Sequence, residues 1–330
     1  MVIFHGFSLF LQTNINIQFR EIMINRVLIR LKAVQLVYAF YQNGSNNLDA
    51  AEKELFFSLS KAYDLYKYLL LLMAEITRFG RHNVAQLEQR AVNTHSGETY
   101  SHKFIDNRFI AQLEKNKQLI EFQETQKKNW IGEEAFIRSM YKRIISSDIY
   151  QEYMASEDDS YEADREVWRK LYKNIFYNNE ELEGVLENMS LYWNDDKFIV
   201  DTFVHKTIKR FEEANGEDQE LLPEYKADED KEYARALFRN AIENDGTYRD
   251  IIAAHSRNWE FNRIAFMDMI IMQLAISEIL TFPNIPVNVT INEFVEIAKF
   301  YSTRKSGMFV NGMLDAIGKS LREQGQINKN

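Results

Sequence analysis

The chain has 330 residues, a formal net charge of −9, and 45% hydrophobic with 13% aromatic residues. That is enough apolar material for a sizeable core in two domains or one elaborated domain. Cysteine is absent, which excludes disulfides, thiolate metal sites and a cysteine nucleophile, and suits a reducing cytosol. The acidic balance argues against a general nucleic-acid coat.

Charge is unevenly spread. Residues 23–48 carry three basic side chains (Arg26, Arg30, Lys32) and no acid, and residues 299–330 carry six basic residues and two acids. Residues 212–232, in contrast, hold ten acids and two lysines. Two basic ends around an acidic middle permit a local anion-binding face. The longest purely apolar run, near Tyr68–Ala74, is far too short to span a bilayer, so no membrane association is expected.

In chain order, residues 1–22 lack a basic n-region and a small-residue cleavage site, so they do not read as a signal peptide. They are set apart as a leader, with Met23 the expected start of the protein. The spacing predicts a helix over 24–42 with Val27, Leu31, Val34, Tyr38 and Tyr41 on one stripe. Arg26 and Arg30 lie one turn apart on its flank, where arginines ordinarily snorkel around a core. Lys32 is expected to point elsewhere.

Residues 43–229 form a large middle section. A helix is predicted over 49–79, irregular structure over 80–101, and further helices near 106–128, 133–154, 163–177, 180–192 and 194–214. Its aromatic clusters (Tyr63/Tyr66/Tyr68, Tyr150/Tyr153, Trp168/Tyr172, Phe176/Tyr177) stand at helical spacing and read as packing. The acidic, Pro223-containing segment 215–230 is the expected linker.

Helices are then predicted over 231–243 and 247–256. The stretch from Trp259 to Ile317 follows. Its first helix, 262–282, is apolar almost all round and ends at Pro283 and Pro286. Thr290 with Glu293 reads as a capping box opening the second helix, which buries Ile291, Phe294, Val295 and Ala298. A basic turn from Ser302 leads to a third helix with Val310, Leu314, Ile317 and Leu321 inward. Asn311 and Gly312 inside that helix call for a compensating close approach of another helix, because glycine costs about 1 kcal/mol there. The whole chain is therefore expected to be all-α.

Catalytic and cofactor signals are missing. The six histidines are scattered singly, and no Walker A, G-x-G-x-x-G or G-x-S-x-G sequence occurs. Glu293 and Glu296 lack the Glu-x-x-His partners that a di-iron bundle needs. The expectation is a non-enzyme without cofactor or metal.

The C-terminal stretch resembles the NusB family of bacterial transcription antitermination factors. The residues that carry the likeness are Trp259 with Arg263, the S-E-I-L run from Ser277, P-V-N-V-T-I-N-E-F-V-E-I-A-K from Pro286 to Lys299, and S-G-M-F-V-N-G-M-L-D from Ser306 to Asp315. The run from Arg26 to Tyr38 is similar to the family's first helix. The resemblance implies a discontinuous NusB-like domain of two packed helical bundles, made from 23–42 and 230–320. Residues 43–229 would be a helical insertion after the first helix, and 321–330 a tail.

It further implies a cytoplasmic factor that binds single-stranded boxA-like RNA with the ribosomal protein NusE. Such a factor acts in an RNA polymerase antitermination complex that supports ribosomal RNA transcription. Carried onto this chain, the RNA-binding residues are Arg26 and Arg30 on the first helix, and Ser306 and Phe309 at the loop-to-helix junction. Gly307 and Met308 stand where the family has His-Lys, and Arg304 and Lys305, just upstream, could restore the charge. The competing reading is a helical protein-interaction scaffold that has lost specific RNA binding. A domain of this type also precedes RNA cytosine methyltransferases, but that catalytic module uses cysteine.

Overall fold

The computed structural model describes residues 23–126, 129–193, 195–225, 227–256, 264–301 and 304–329, the Arg304 side chain excepted. The expected leader 1–22, Trp259, Arg263 and Ser302 lie outside the described residues. Among the described residues the structure is helical, without strands, and no helix is long and apolar enough to cross a membrane. The chain divides into two compact units, one made of residues up to Ser60 with Tyr225–Asn330, the other of Lys61–Glu224.

In chain order the α-helices are α1 (Arg26–Gln42) and α2 (Leu48–Thr94), then α3 (Arg108–Lys115), α4 (Lys117–Thr125), α5 (Glu134–Ile145) and α6 (Asp148–Ala155). Next come α7 (Tyr161–Leu171), α8 (Glu180–Met189) and α9 (Lys197–Arg210). The last five are α10 (Asp228–Glu243), α11 (Asp245–His255), α12 (Phe266–Thr281), α13 (Val287–Tyr301) and α14 (Arg304–Glu323).

In the first unit α12 is the hub, packing against α1, α10, α11, α13 and α14. This follows from its sequence: every residue from Asp268 to Ile279 is buried, polar ones included. α13 and α14 lie against each other and cover α12 with their apolar stripes. Phe294 and Ala298 on α13, and Val310, Leu314 and Ile317 on α14, are fully buried as their periodicity predicts. α1 is more enclosed than its expected stripe. Leu31 and Val34 are core, but so are Leu28, Ile29, Ala33 and Val37, while Val27, Tyr38 and Tyr41 are only half-buried. Lys32 is buried as well.

Two local expectations are corrected here. α13 begins at Val287, a turn before Thr290, with the Pro286 carbonyl accepting from the Thr290 N–H. Thr290 and Glu293 are therefore interior helix residues and not a capping box. Gly312 is exposed, with nothing near the place its Cβ would occupy; nothing in the structure explains a glycine there. The close approaches on this helix occur instead at Gly307 and Gly318.

In the second unit α2 continues through the stretch expected to be irregular, as far as Thr94. Gly80 is tolerated inside it because the Tyr141 ring packs where a Cβ would stand, 2.8 Å from Cε2. The aromatic clusters are packing residues here, with Tyr66, Trp168, Tyr172 and Phe176 fully buried. A buried ion pair, Lys197 Nζ to Asp201 at 2.7 Å, sits among them and is completed by the Tyr172 hydroxyl donating to Asp201. The first part of the acidic stretch 215–230 is tied into this unit. Gln112 donates to the Gly216 carbonyl, Asn116 to the Gln219 carbonyl, and Leu221 and Leu222 are buried.

Candidate nucleic-acid interface

Arg30 sits inside the first unit, only 3% exposed. Its Nε donates to Glu278 Oε2 at 2.7 Å and its Nη2 to Oε1 at 3.0 Å, a bidentate pair between α1 and α12. The Thr290 hydroxyl donates to Glu278 Oε1 at 2.6 Å, and the Tyr233 hydroxyl donates to Oε2. Glu293 lies 3.5 Å from Arg30 Nη1. Every lone-pair direction of Glu278 is thus engaged, which is what a buried carboxylate requires. Burial raises the Glu278 pKa, but the charge and hydrogen bonds of Arg30 outweigh it, so the net shift is downward. Glu293 moves the other way, because burial and the neighbouring Glu278 dominate over Arg30.

This corrects the expected role of Arg30. A guanidinium with this exposure and two carboxylate bonds has nothing to offer a phosphate; it is a brace between helices. Arg26, one turn earlier, is exposed, and its guanidinium lies 5.0 Å above the Tyr233 ring. A cation placed on a ring in this way keeps its edge free for an incoming anion.

The other half of the expected face is the start of α14. Lys305 is exposed, while Ser306 and Phe309 are half-buried. Ser306 is hydrogen-bonded to the buried carboxylate of Asp268, whose pKa burial raises. Gln35 Nε2 donates to the Tyr301 hydroxyl at 2.7 Å, and the Tyr38 ring is 5.5 Å from that of Phe266. The start of α14 therefore belongs beside the C-terminal half of α1, whereas Arg26 marks its N-terminal end. From Arg26 to Tyr38 is about 18 Å at 1.5 Å per residue. The candidates are spread along α1 rather than gathered at one point.

The two departures from the family pattern have different standing. Gly307 is buried, and a Cβ there would lie 2.6 Å from Lys299 Cγ. The aliphatic stem of Lys299 fills that space, its amine pairs with Glu296 at 2.6 Å, and the side chain as a whole is 43% exposed. Lys299 is a cation at this junction that sequence reasoning passed over. The signal was a glycine in the first turns of a helix. Met308 is 68% exposed, and nothing in the structure explains an apolar side chain there.

A model of the NusB family matches residues 197–319. A stretch of 132 residues is 39% identical to a transcription antitermination protein NusB of Salinibacter ruber, covering 38% of this chain and 82% of that protein. The chain belongs to the NusB family. The NusB protein of Syntrophotalea carbinolica is 32% identical over 158 residues, covering 48% of this chain and 94% of that one. The solved NusB of T. maritima is 30% identical, covering 46% of this chain and 89% of that chain, with a TM-score of 0.27. The matched span takes in α10 to α13 and most of α14 of the first unit, and begins with α9 of the second. Glu278 falls in the S-E-I-L run, and Thr290 and Glu293 in the segment from Pro286 to Lys299. These positions of the motif serve the Arg30 brace.

Proposed function

We propose that this NusB-family chain is a non-catalytic, RNA-binding transcription antitermination factor. In this reading it engages single-stranded boxA-like RNA together with the ribosomal protein NusE, within an RNA polymerase antitermination complex on ribosomal RNA operons. The observation that carries the reading is a pair of exposed cations on the first unit, Arg26 at the start of α1 and Lys305 at the start of α14, the latter on the same helix as the half-buried Phe309. Single-stranded RNA is held by cations on phosphates and by side-chain faces on bases. Relatives named as transcription antitermination proteins support the same role.

Arg30 has no part in this contact. With two or three phosphate contacts, the log–log salt slope should lie near −2. Fluorescence anisotropy with a boxA-like oligoribonucleotide and its scrambled counterpart, with and without NusE, tests the proposal. Preference for the boxA-like strand, strengthened by NusE, is expected. Equal binding of both strands under both conditions would favour the scaffold reading, to which the exposed Met308 in place of a cation also points.

A further inference from the structure

We infer that the second unit carries its own binding groove for a nucleotide of single-stranded RNA, between α2 and α5. The groove has a volume of about 400 Å³ and is lined by Phe79, His82, Asn83 and Gln86 on one side and Arg138, Tyr141 and Lys142 on the other, among others. That volume lies within the ordinary range for small-ligand sites.

Its floor exists because of a glycine. The Tyr141 ring lies on Gly80, with the nearest carbon 2.8 Å from a hypothetical Cβ, so any side chain there would push α5 away from α2. Tyr141 is 5% exposed, hydrogen-bonded to Asn83, and edge-on to Phe79 at 5.5 Å. Above this floor, Phe79 remains half-exposed.

The lining matches the parts of a nucleotide. Phe79 offers a ring face for a base once Arg138 turns from it to a phosphate. The amides of Asn83 and Gln86, which bond Tyr141 and the His82 ring, keep further donor and acceptor positions for a base edge. Lys142 is exposed and makes no ion pair among the described residues. Arg138 stands 5.9 Å over Phe79, and its bond to Glu134 is a surface i,i+4 pair with both side chains more than half exposed. Such a pair is worth little in water, so a phosphate can take the place of Glu134. An acidic peptide would use the two cations but leave the ring and both amides idle, which is why a nucleotide is the better occupant.

The inference shares only its ligand class with the proposed function, and it has its own experiment. The full-length protein is photo-cross-linked to a 4-thiouridine-containing oligo(U) twelve-mer, and the labelled peptides are mapped by mass spectrometry. Labels on residues 79–86 or 138–142 are expected in addition to labels near Arg26 and Phe309. Labels confined to the latter, or no labels at all, overturn the groove. The proposed function concerns a boxA-like strand and is decided separately by the anisotropy comparison, so the two readings fail independently. Phe79→Leu should lower groove labelling roughly fivefold or more, as losing one base stack does, whereas Phe79→Tyr should preserve it. Equal labelling of the Leu and Tyr variants, or stronger competition by poly-glutamate than by unlabelled oligo(U), would overturn the inference.

Discussion

Arg30 and Glu278, 248 residues apart in sequence, form a bidentate ion pair at 2.7 and 3.0 Å with both side chains buried. The pair joins the first helix of the unit to its central one. Removing one partner of such a pair leaves an uncompensated charge in the core. Arg30→Ala should therefore destabilise the first unit by roughly 3–5 kcal/mol. The double change Arg30→Met with Glu278→Leu should recover part of that loss, because an apolar pair carries no desolvation penalty while the Thr290 and Tyr233 hydroxyls lose their acceptor. Urea unfolding measures both. A double variant as unstable as the single one would contradict this account.

The same pair sets a pH dependence. The Glu278 pKa is depressed below its ordinary 4.5, so its stabilisation is present above that value and lost as pH falls through the lower folded value. The stability gap between wild type and Glu278→Gln should thus be widest at neutral pH and close in acid. Glu293, raised by burial, gains stability on protonation and opposes this trend. Adding Glu293→Gln to both proteins should sharpen the closing of the gap. A gap that is flat from neutral pH to strong acid would refute the assignment.

Arg26 and Lys305 are both exposed, and substituting either should leave folding unchanged. Each alanine variant should weaken RNA binding and reduce the magnitude of the salt slope by about 0.7, the share of one phosphate on a single strand. The folded Arg30→Met, Glu278→Leu protein should bind RNA as wild type does, since Arg30 faces inward. Loss of binding in that double variant, with its fold intact by circular dichroism, would return Arg30 to the RNA face.

The apolar stripes of α13 and α14 were legible in the sequence because their helices bury one face each. α1 was less legible. Its neighbours close around residues 28–34, so a stripe drawn by periodicity undercounts its core. Arg30 was misread for a related reason. An arginine flanking an apolar stripe ordinarily snorkels, and nothing local shows that a carboxylate 248 residues away waits beneath it. Thr290 and Glu293 have the spacing of a capping box, but the Pro286 carbonyl accepts the first helical bond of a helix that starts a turn earlier. Both side chains are then free to serve the Arg30 cluster. The second unit's groove was hidden by Gly80, which by propensity alone ends a helix. Only the Tyr141 ring, 61 residues on, shows why it does not.

Gly80 and Gly307 make a matched pair for substitution. At Gly80 an added Cβ meets the Tyr141 ring at 2.8 Å and Ile105 at 3.3 Å, neither of which can swing aside cheaply. Gly80→Ala should destabilise by about 1–3 kcal/mol despite alanine's better helix propensity. At Gly307 the obstacle is the stem of Lys299, a flexible and partly exposed chain. Gly307→Ala should release that stem and break its pair with Glu296, with a net stability change within about 1 kcal/mol because alanine's helix propensity offsets the lost packing. Thermal unfolding of the two variants decides it. Equal destabilisation would show that Lys299 is held as rigidly as Tyr141.

His205 gives the second unit an acid sensitivity of its own. Arg169 Nη1 lies 2.9 Å from its Nε2, so that ring nitrogen must accept and the imidazole is neutral. Burial, then the charges of Arg169 and Lys173, push its pKa down from 6.5 to about 4, with Glu166 opposing them. As pH falls below 6.5, the unfolded chain takes up this proton before the folded one does. The stabilisation is therefore intact above pH 6.5 and is lost progressively down to about 4. Hydrogen exchange of peptides from α9, followed from pH 7 to 4, should show protection falling in the wild type. Protection should fall less steeply in His205→Gln, which keeps an acceptor for Arg169 but cannot be protonated. Identical pH profiles for the two proteins would rule out His205 as the source.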